Sequence, residues 1–134
     1  MKTAFIIIDV QNILVETGFE TEKLLEKIAY LQDQARKEQI EIIYMQHIET
    51  PEALTSEDWQ LSPLLKRQEN EKVFQKRYNS IFKETGLKEY LDQQEIEQLV
   101  LCGMQTEYCV DTSVKVGFEY GYKLVIPEGA VTTF

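Results

Sequence analysis

Residues 99–114 read LVLCGMQTEYCVDTSV. The apolar run Gln98–Cys102 shows no polar alternation and is closed by Gly103, the pattern of a strand buried on both faces. From about Glu107 to Tyr120 the spacing turns helical, with Val110, Val114, Gly117 and Phe118 on one stripe and Gly121 as terminator. Working outward, Tyr122–Ile126 reads as another strand, followed by Pro127. Towards the N-terminus, Ala4–Ile8 is a short apolar run that stops at Asp9. Thr21 is placed to cap a helix with Leu24, Leu25, Ile28, Leu31 and Ala35 at helical spacing. Ile40–Met45 is the next β-branched run, and Val73–Gln75 a short one ending at Lys76. Thr85 can cap a helix carrying Leu87, Tyr90 and Leu91. The stretch Gln46–Asn70, with two prolines and a tryptophan, reads as a long excursion holding at most a short helix. This alternation predicts an α/β fold: a three-layer, Rossmann-like parallel sheet of about five strands, flanked by helices through right-handed crossovers.

The chain has 134 residues, which suits a single domain over 1–134. Hydrophobic residues at 43% and charged residues at 28% exclude a disordered chain. Twenty-three acids against 14 bases give a net charge of −9, which argues against a nucleic-acid partner and is compatible with neutral or cationic small molecules. No apolar run approaches the ~18–20 residues of a membrane span, so no membrane partner is expected. The N-terminus MKTAFIIIDVQN is too short for a signal peptide, and a cytoplasmic setting is expected. The two cysteines are therefore read singly. The six glycines form no phosphate-binding loop, so no nucleotide cofactor is expected.

Ligands of open parallel sheets bind beyond the carboxyl ends of the strands. Asp9, Lys76 and Cys109 fall at or just after such ends. Each has an ordinary reading alone: a turn residue, a solvated charge, a small packing side chain. Together they supply a base, a cation and a nucleophile. Thr106 as N-cap would make Cys109 the third helical residue, where the helix dipole and a neighbouring Lys76 ammonium favour thiolate over thiol, while Asp9 could accept the proton. Backbone N–H groups of Gly103–Gln105 could hold an oxyanion. By position, Gln11 supports Asp9, and Gln11, Tyr108 and Trp59 are candidates for the substrate pocket. Cys102 belongs to the core. His47, the one histidine, reads as a polar strand-end residue, and no set of imidazoles or other ligands suggests a metal.

FIIIDVQN (5–12), FQKRYNSIF (74–82) and LVLCGMQTEYCVDTSV, in that order, resemble the isochorismatase-like cysteine hydrolases, the superfamily that includes nicotinamidases and other small amidohydrolases. The most specific block is G-x-x-T-x-x-C-V at Gly103, Thr106, Cys109 and Val110. The resemblance implies a catalytic triad of Asp9, Lys76 and Cys109, acting on an amide, ureide or related C–N bond through an acyl- or carbamoyl-enzyme. It implies a non-proline cis peptide at Met104–Gln105 that aims the N–H groups of Gln105 and Cys109 at an oxyanion. It further implies a homodimer or larger homo-oligomer. Relatives with a metal site carry several histidines after the second strand, so a metal-dependent nicotinamidase is disfavoured here. Where relatives have tryptophan and then histidine three positions on, this chain has Trp59 and Ser62, so the substrate does not carry over. Family members continue past Phe134 with another helix and a sixth, edge strand, so the resemblance marks this chain as truncated at its C-terminus. Two other readings stand beside the hydrolase: a small-molecule binding or scaffold protein of the same fold, and an isochorismate-type ether hydrolase, whose relatives can lack the cysteine.

Overall fold

The apolar run that opens the chain becomes its central strand. In a computed structural model describing residues 1–134, β1 (Thr3–Ile8) lies between β2 (Glu41–His47) and β4 (Gln98–Met104). Outside β2 is β3 (Lys72–Lys76), and outside β4 is β5 (Lys123–Val125). All these pairings are parallel. On one face Ile6, Ile8, Ile43, Met45, Leu99 and Leu101 pack with Leu87 and Leu91 of α3 (Leu87–Gln93) and with Val110, just ahead of α4 (Asp111–Glu119). On the other, Phe5, Ile7, Ile42 and Tyr44 pack with Leu24, Ile28 and Ala35 of α2 (Thr21–Lys37). A strand covered on both faces needs apolar side chains at both parities, which is why these runs do not alternate.

The sheet carries one strand more than the five expected. Val131–Thr132 form β6, which pairs in parallel with Gly103 and Met104, farther along the β4 edge that β5 occupies at Gln98–Val100. Gly103 allows β1 and β4 to approach there: its φ is +117°, and a Cβ would lie 2.0 Å from the Ile8 carbonyl oxygen.

Several boundaries differ from expectation. A short α1 (Asn12–Thr17) follows β1. Thr21 does not cap α2; the capping position is Glu20, in the left-handed region at φ +49° and without a side-chain cap bond, and the Thr21 hydroxyl donates to the Val15 carbonyl, tying α2 to α1. At α3 the capping position is Gly86, with the Thr85 hydroxyl one residue outside it accepting from Leu87 N–H at 3.2 Å. Phe118 is not on the core stripe but 68% exposed, because it lies about 100° round the helix from buried Gly117. The excursion holds three short 3₁₀ turns, Pro51–Leu54, Glu57–Trp59 and Pro63–Leu65, and folds back on the end of β1. Ser62 N–H donates to Val10 C=O and Asn12 N–H to Gln60 C=O, both at 2.9 Å.

From β1 the chain builds β2 and β3 to one side, then crosses to build β4 and β5 on the other. The crevice between the carboxyl ends of β1 and β4 is therefore a topological switch point.

Candidate active site

β1 ends because Asp9 enters the left-handed backbone region at φ +53°, a conformation that aspartate tolerates better than most residues. Its N–H still donates to Met45 C=O at 3.0 Å, which fixes Asp9 to β2. The side chain is 2% exposed. Lys76, the last residue of β3, is fully buried, so its charge must be met inside the protein. Its Nζ lies 3.1 Å from Asp9 Oδ2, 3.1 Å from Cys109 Sγ and 3.2 Å from His47 Nδ1, and it donates to Tyr78 C=O at 2.6 Å. The fold thus brings Asp9, Lys76 and Cys109 into one buried cluster.

Cys109 is delivered differently from the expectation. Gln105 holds the capping position, without a side-chain bond, and Thr106–Val110 form one turn of π-helix before α4 begins at Asp111. The thiol therefore precedes the α-helix instead of occupying its first turn. Burial pushes that thiol up to about 11, the Asp9 charge adds to the rise, and Lys76 opposes it. The direction of this shift runs against the expected thiolate and favours storage of the nucleophile as thiol. Burial also raises the Asp9 carboxyl above the ordinary aspartate value, against the pull of Lys76. A raised carboxyl is the better base. Moving one proton from Sγ to Asp9 shifts negative charge between two groups that both contact Lys76, so it creates no new buried charge.

The Met104–Gln105 peptide bond is cis. Met104 itself is fully buried in the core and leaves the neighbouring cleft to Gln105. The carbonyl of Gln105 accepts from Tyr108 and Val110 N–H at 3.1 and 3.2 Å, while its own N–H donates to no backbone carbonyl. A cleft of about 290 Å³ opens over Asp9, Cys109 and Gln105, and Trp59 and Tyr108 stand in its wall. Gln11 does not. It is fully buried, donates to the carbonyls of His47 (2.9 Å) and Trp59 (2.7 Å) and accepts from His47 N–H (2.9 Å), so it positions the wall and does not support Asp9 directly.

Sequence reasoning missed two polar groups of the cleft, Glu49 and Asn79. His47 is the strand-end residue it was expected to be, closing β2 as Lys76 closes β3, and it too lines the cleft, which the sequence did not indicate. Its Nε2 lies 3.1 Å from Glu49 Oε1. Asn79 places Oδ1 3.9 Å from Cys109 Sγ, and only the turn after β3 brings it there. The donor atoms of Asp9, His47 and Cys109 lie within 4.8 Å of one another, a spacing that could suit a metal ion. The Lys76 ammonium lies within 3.2 Å of an atom of each, so a metal ion bound there would meet its charge at close range.

Comparison with known proteins bears on this geometry. The Isochorismatase domain model matches residues 3–134. The chain is 28% identical to the uncharacterized isochorismatase family protein YddQ of Bacillus subtilis, over 99% of this chain and 79% of that protein. It is 27% identical to the streptothricin hydrolase of Streptomyces noursei over 98% of this chain, and spans half the length of that enzyme. Among solved structures, an isochorismatase from Pseudomonas putida superposes with a TM-score of 0.91 at 31% identity, covering 98% of this chain and 71% of that one.

Proposed function

Since this chain belongs to the isochorismatase family of hydrolases, we propose that it is a metal-independent cysteine hydrolase that cleaves a small amide, ureide or related C–N bond. The observation that carries the reading is the Lys76 ammonium, fully buried and within 3.1 Å of both Asp9 and Cys109. Asp9 takes the thiol proton as Sγ attacks the carbonyl carbon. The negative charge that arrives on the carbonyl oxygen is met by backbone N–H groups at Gln105 and Cys109, one such donor being worth ~3–4 kcal/mol in acyl transfer. Collapse of the tetrahedral adduct expels the amine, which takes the proton back from Asp9. The acyl- or carbamoyl-Cys109 is then attacked by water, with Asp9 again as base, and the thiol returns. Lys76 holds the negative charge in place whether it resides on sulfur or on carboxylate.

Similarity to an enzyme named streptothricin hydrolase supports hydrolysis as the reaction class. A cytoplasmic setting and association as a homodimer or larger homo-oligomer belong to the same proposal; no helix is long and apolar enough to cross a membrane. The test is a panel of small amides and ureides with intact-mass detection. Wild-type protein should turn over a member of the panel and carry a transient adduct on Cys109. Cys109→Ala should lose both, with activity falling by at least about 10³-fold. Turnover that survives the replacement would refute the cysteine mechanism.

A further inference from the structure

The cleft wall carries charge of one sign. Asp9 and Glu49 both line it, and no lysine or arginine does. The buried cation, Lys76, is engaged by Asp9 and Cys109. Glu49 stands apart from that cluster. Its side chain is 74% exposed, and its partner is His47 Nε2 at 3.1 Å. The other ring nitrogen, Nδ1, lies 3.2 Å from Lys76 Nζ, and an ammonium, which can only donate, disfavours a proton there. With a proton on Nε2, the ring donates to Glu49 and orients its carboxylate. In the same wall stand Trp59 and Tyr108, whose ring faces attract cations. An organic cation entering the cleft meets a free carboxylate, aromatic faces and no competing positive charge. An anion meets the Glu49 carboxylate with no lysine or arginine in the wall to offset it.

We infer that Glu49, held by His47, is a specificity-determining residue that makes the cleft select substrates bearing a cationic amine or guanidine group a few bonds from the scissile carbonyl. This rests on reading the cleft as the substrate site of a cysteine hydrolase.

The test uses three methanethiosulfonates, 2-aminoethyl (cationic), methyl (neutral) and 2-sulfonatoethyl (anionic), on the full chain at pH 8. In each reaction the Cys109 sulfur attacks the sulfenyl sulfur, a mixed disulfide forms, methanesulfinate leaves, and the thiol proton passes to solvent. Rates at Cys109 and Cys102 are resolved by peptide mass spectrometry and normalised to N-acetylcysteine. Wild type should show a normalised cation-over-anion ratio of at least about ten at Cys109, decreasing as salt is added. Glu49→Gln should lower that ratio by at least about threefold. Glu22→Gln, which removes the same charge from the exposed start of α2, should leave it unchanged and so controls for the overall negative field.

A ratio in Glu49→Gln equal to that in Glu22→Gln overturns the inference, as does Cys109 labelling no faster than Cys102 with every reagent. The readout needs no turnover, so the two proposals fail separately. A chain with the Glu49-dependent ratio that hydrolyses nothing keeps Glu49 as the source of the cleft's preference for cations and loses the hydrolase, and with it the scissile carbonyl. A chain with Cys109-dependent hydrolysis and a ratio indifferent to Glu49 does the reverse.

Discussion

At the scale of single residues, the electrostatics of the cluster decide how the nucleophile is stored. Burial pushes the Cys109 thiol up to about 11, and burial alone pushes Cys102, which has no ionic partner, well above the ordinary thiol range. Alkylation by iodoacetamide should therefore rise with pH through a midpoint above the ~8.5 of a free thiol at Cys109, while Cys102 stays protected in the folded protein. Peptide mass spectrometry over pH 6–11 would read both sites at once. A Cys109 midpoint below 8.5 would mean that Lys76 outweighs burial and that the resting species is thiolate. Gln11 makes a different kind of contribution. It satisfies three backbone groups, on His47 and Trp59, that are 36 and 48 residues away in sequence. Gln11→Leu keeps the volume and removes all three hydrogen bonds, leaving the Trp59 carbonyl only the Gln46 amide, so it should cost about 2–3 kcal/mol in urea unfolding. It should also reduce turnover, because His47 and Trp59 lose their reference to β1. A variant as stable as wild type would show that water replaces the amide without loss.

Elements were legible to the extent that local pattern determined them. β1, β2 and β4 announce themselves because a strand covered on both faces is apolar at both parities. The helix starts were read less well. Glu20 and Gly86 take left-handed conformations imposed by the chain's path, and a threonine nearby is not evidence that its hydroxyl caps. β6 and the 3₁₀ turns are too short for any period to appear, and they form because the excursion and the C-terminal segment meet β1 and β4. One tie between elements was invisible in the sequence and can be tested. Glu71, just before β3, receives both Arg36 Nε and Nη2 of α2 at 2.9 Å and the Tyr44 hydroxyl of β2 at 2.8 Å. Burial alone would raise the Glu71 carboxyl, but Arg36, the Gln68 N–H and Tyr44 together bring it below its ordinary 4.5. A lowered carboxyl adds stability above its unfolded value and loses it as pH falls through the folded one. Glu71→Gln should thus be less stable than wild type by about 2 kcal/mol at pH 7, with the gap narrowing below pH 4.5. A gap constant from pH 7 to pH 3 would show that packing, and not ionisation, accounts for it.

For the molecule as a whole, parallel strands explain why three distant residues could be read as one site. All strands run the same way, so Asp9, His47 and Lys76 reach the same edge of the sheet, and the β4 turn brings Cys109 to meet them. Direction alone does not reveal which loop residues fold back over that edge, and so Glu49 and Asn79 had no sequence signature. The same global view governs charge. A net −9 is spread over one small sheet-and-helix body, and its surface ion pairs, Lys23–Glu20, Lys88–Asp92 and Lys115–Asp111, add little to stability because solvent screens them. Repulsion among the unpaired acids acts over many pairs at distances near the Debye length, about 10 Å at 0.1 M salt, so modest salt removes most of it. Screening weakens the exposed pairs too, but they are few and nearly neutral in free energy. Melting temperature should therefore rise by a few degrees between about 10 mM and 200 mM NaCl and then flatten as the Debye length shortens further. Differential scanning calorimetry at fixed pH would show the curve. A melting temperature that falls over the same range would mean that local ion pairs, and not the net charge, set the electrostatic part of stability.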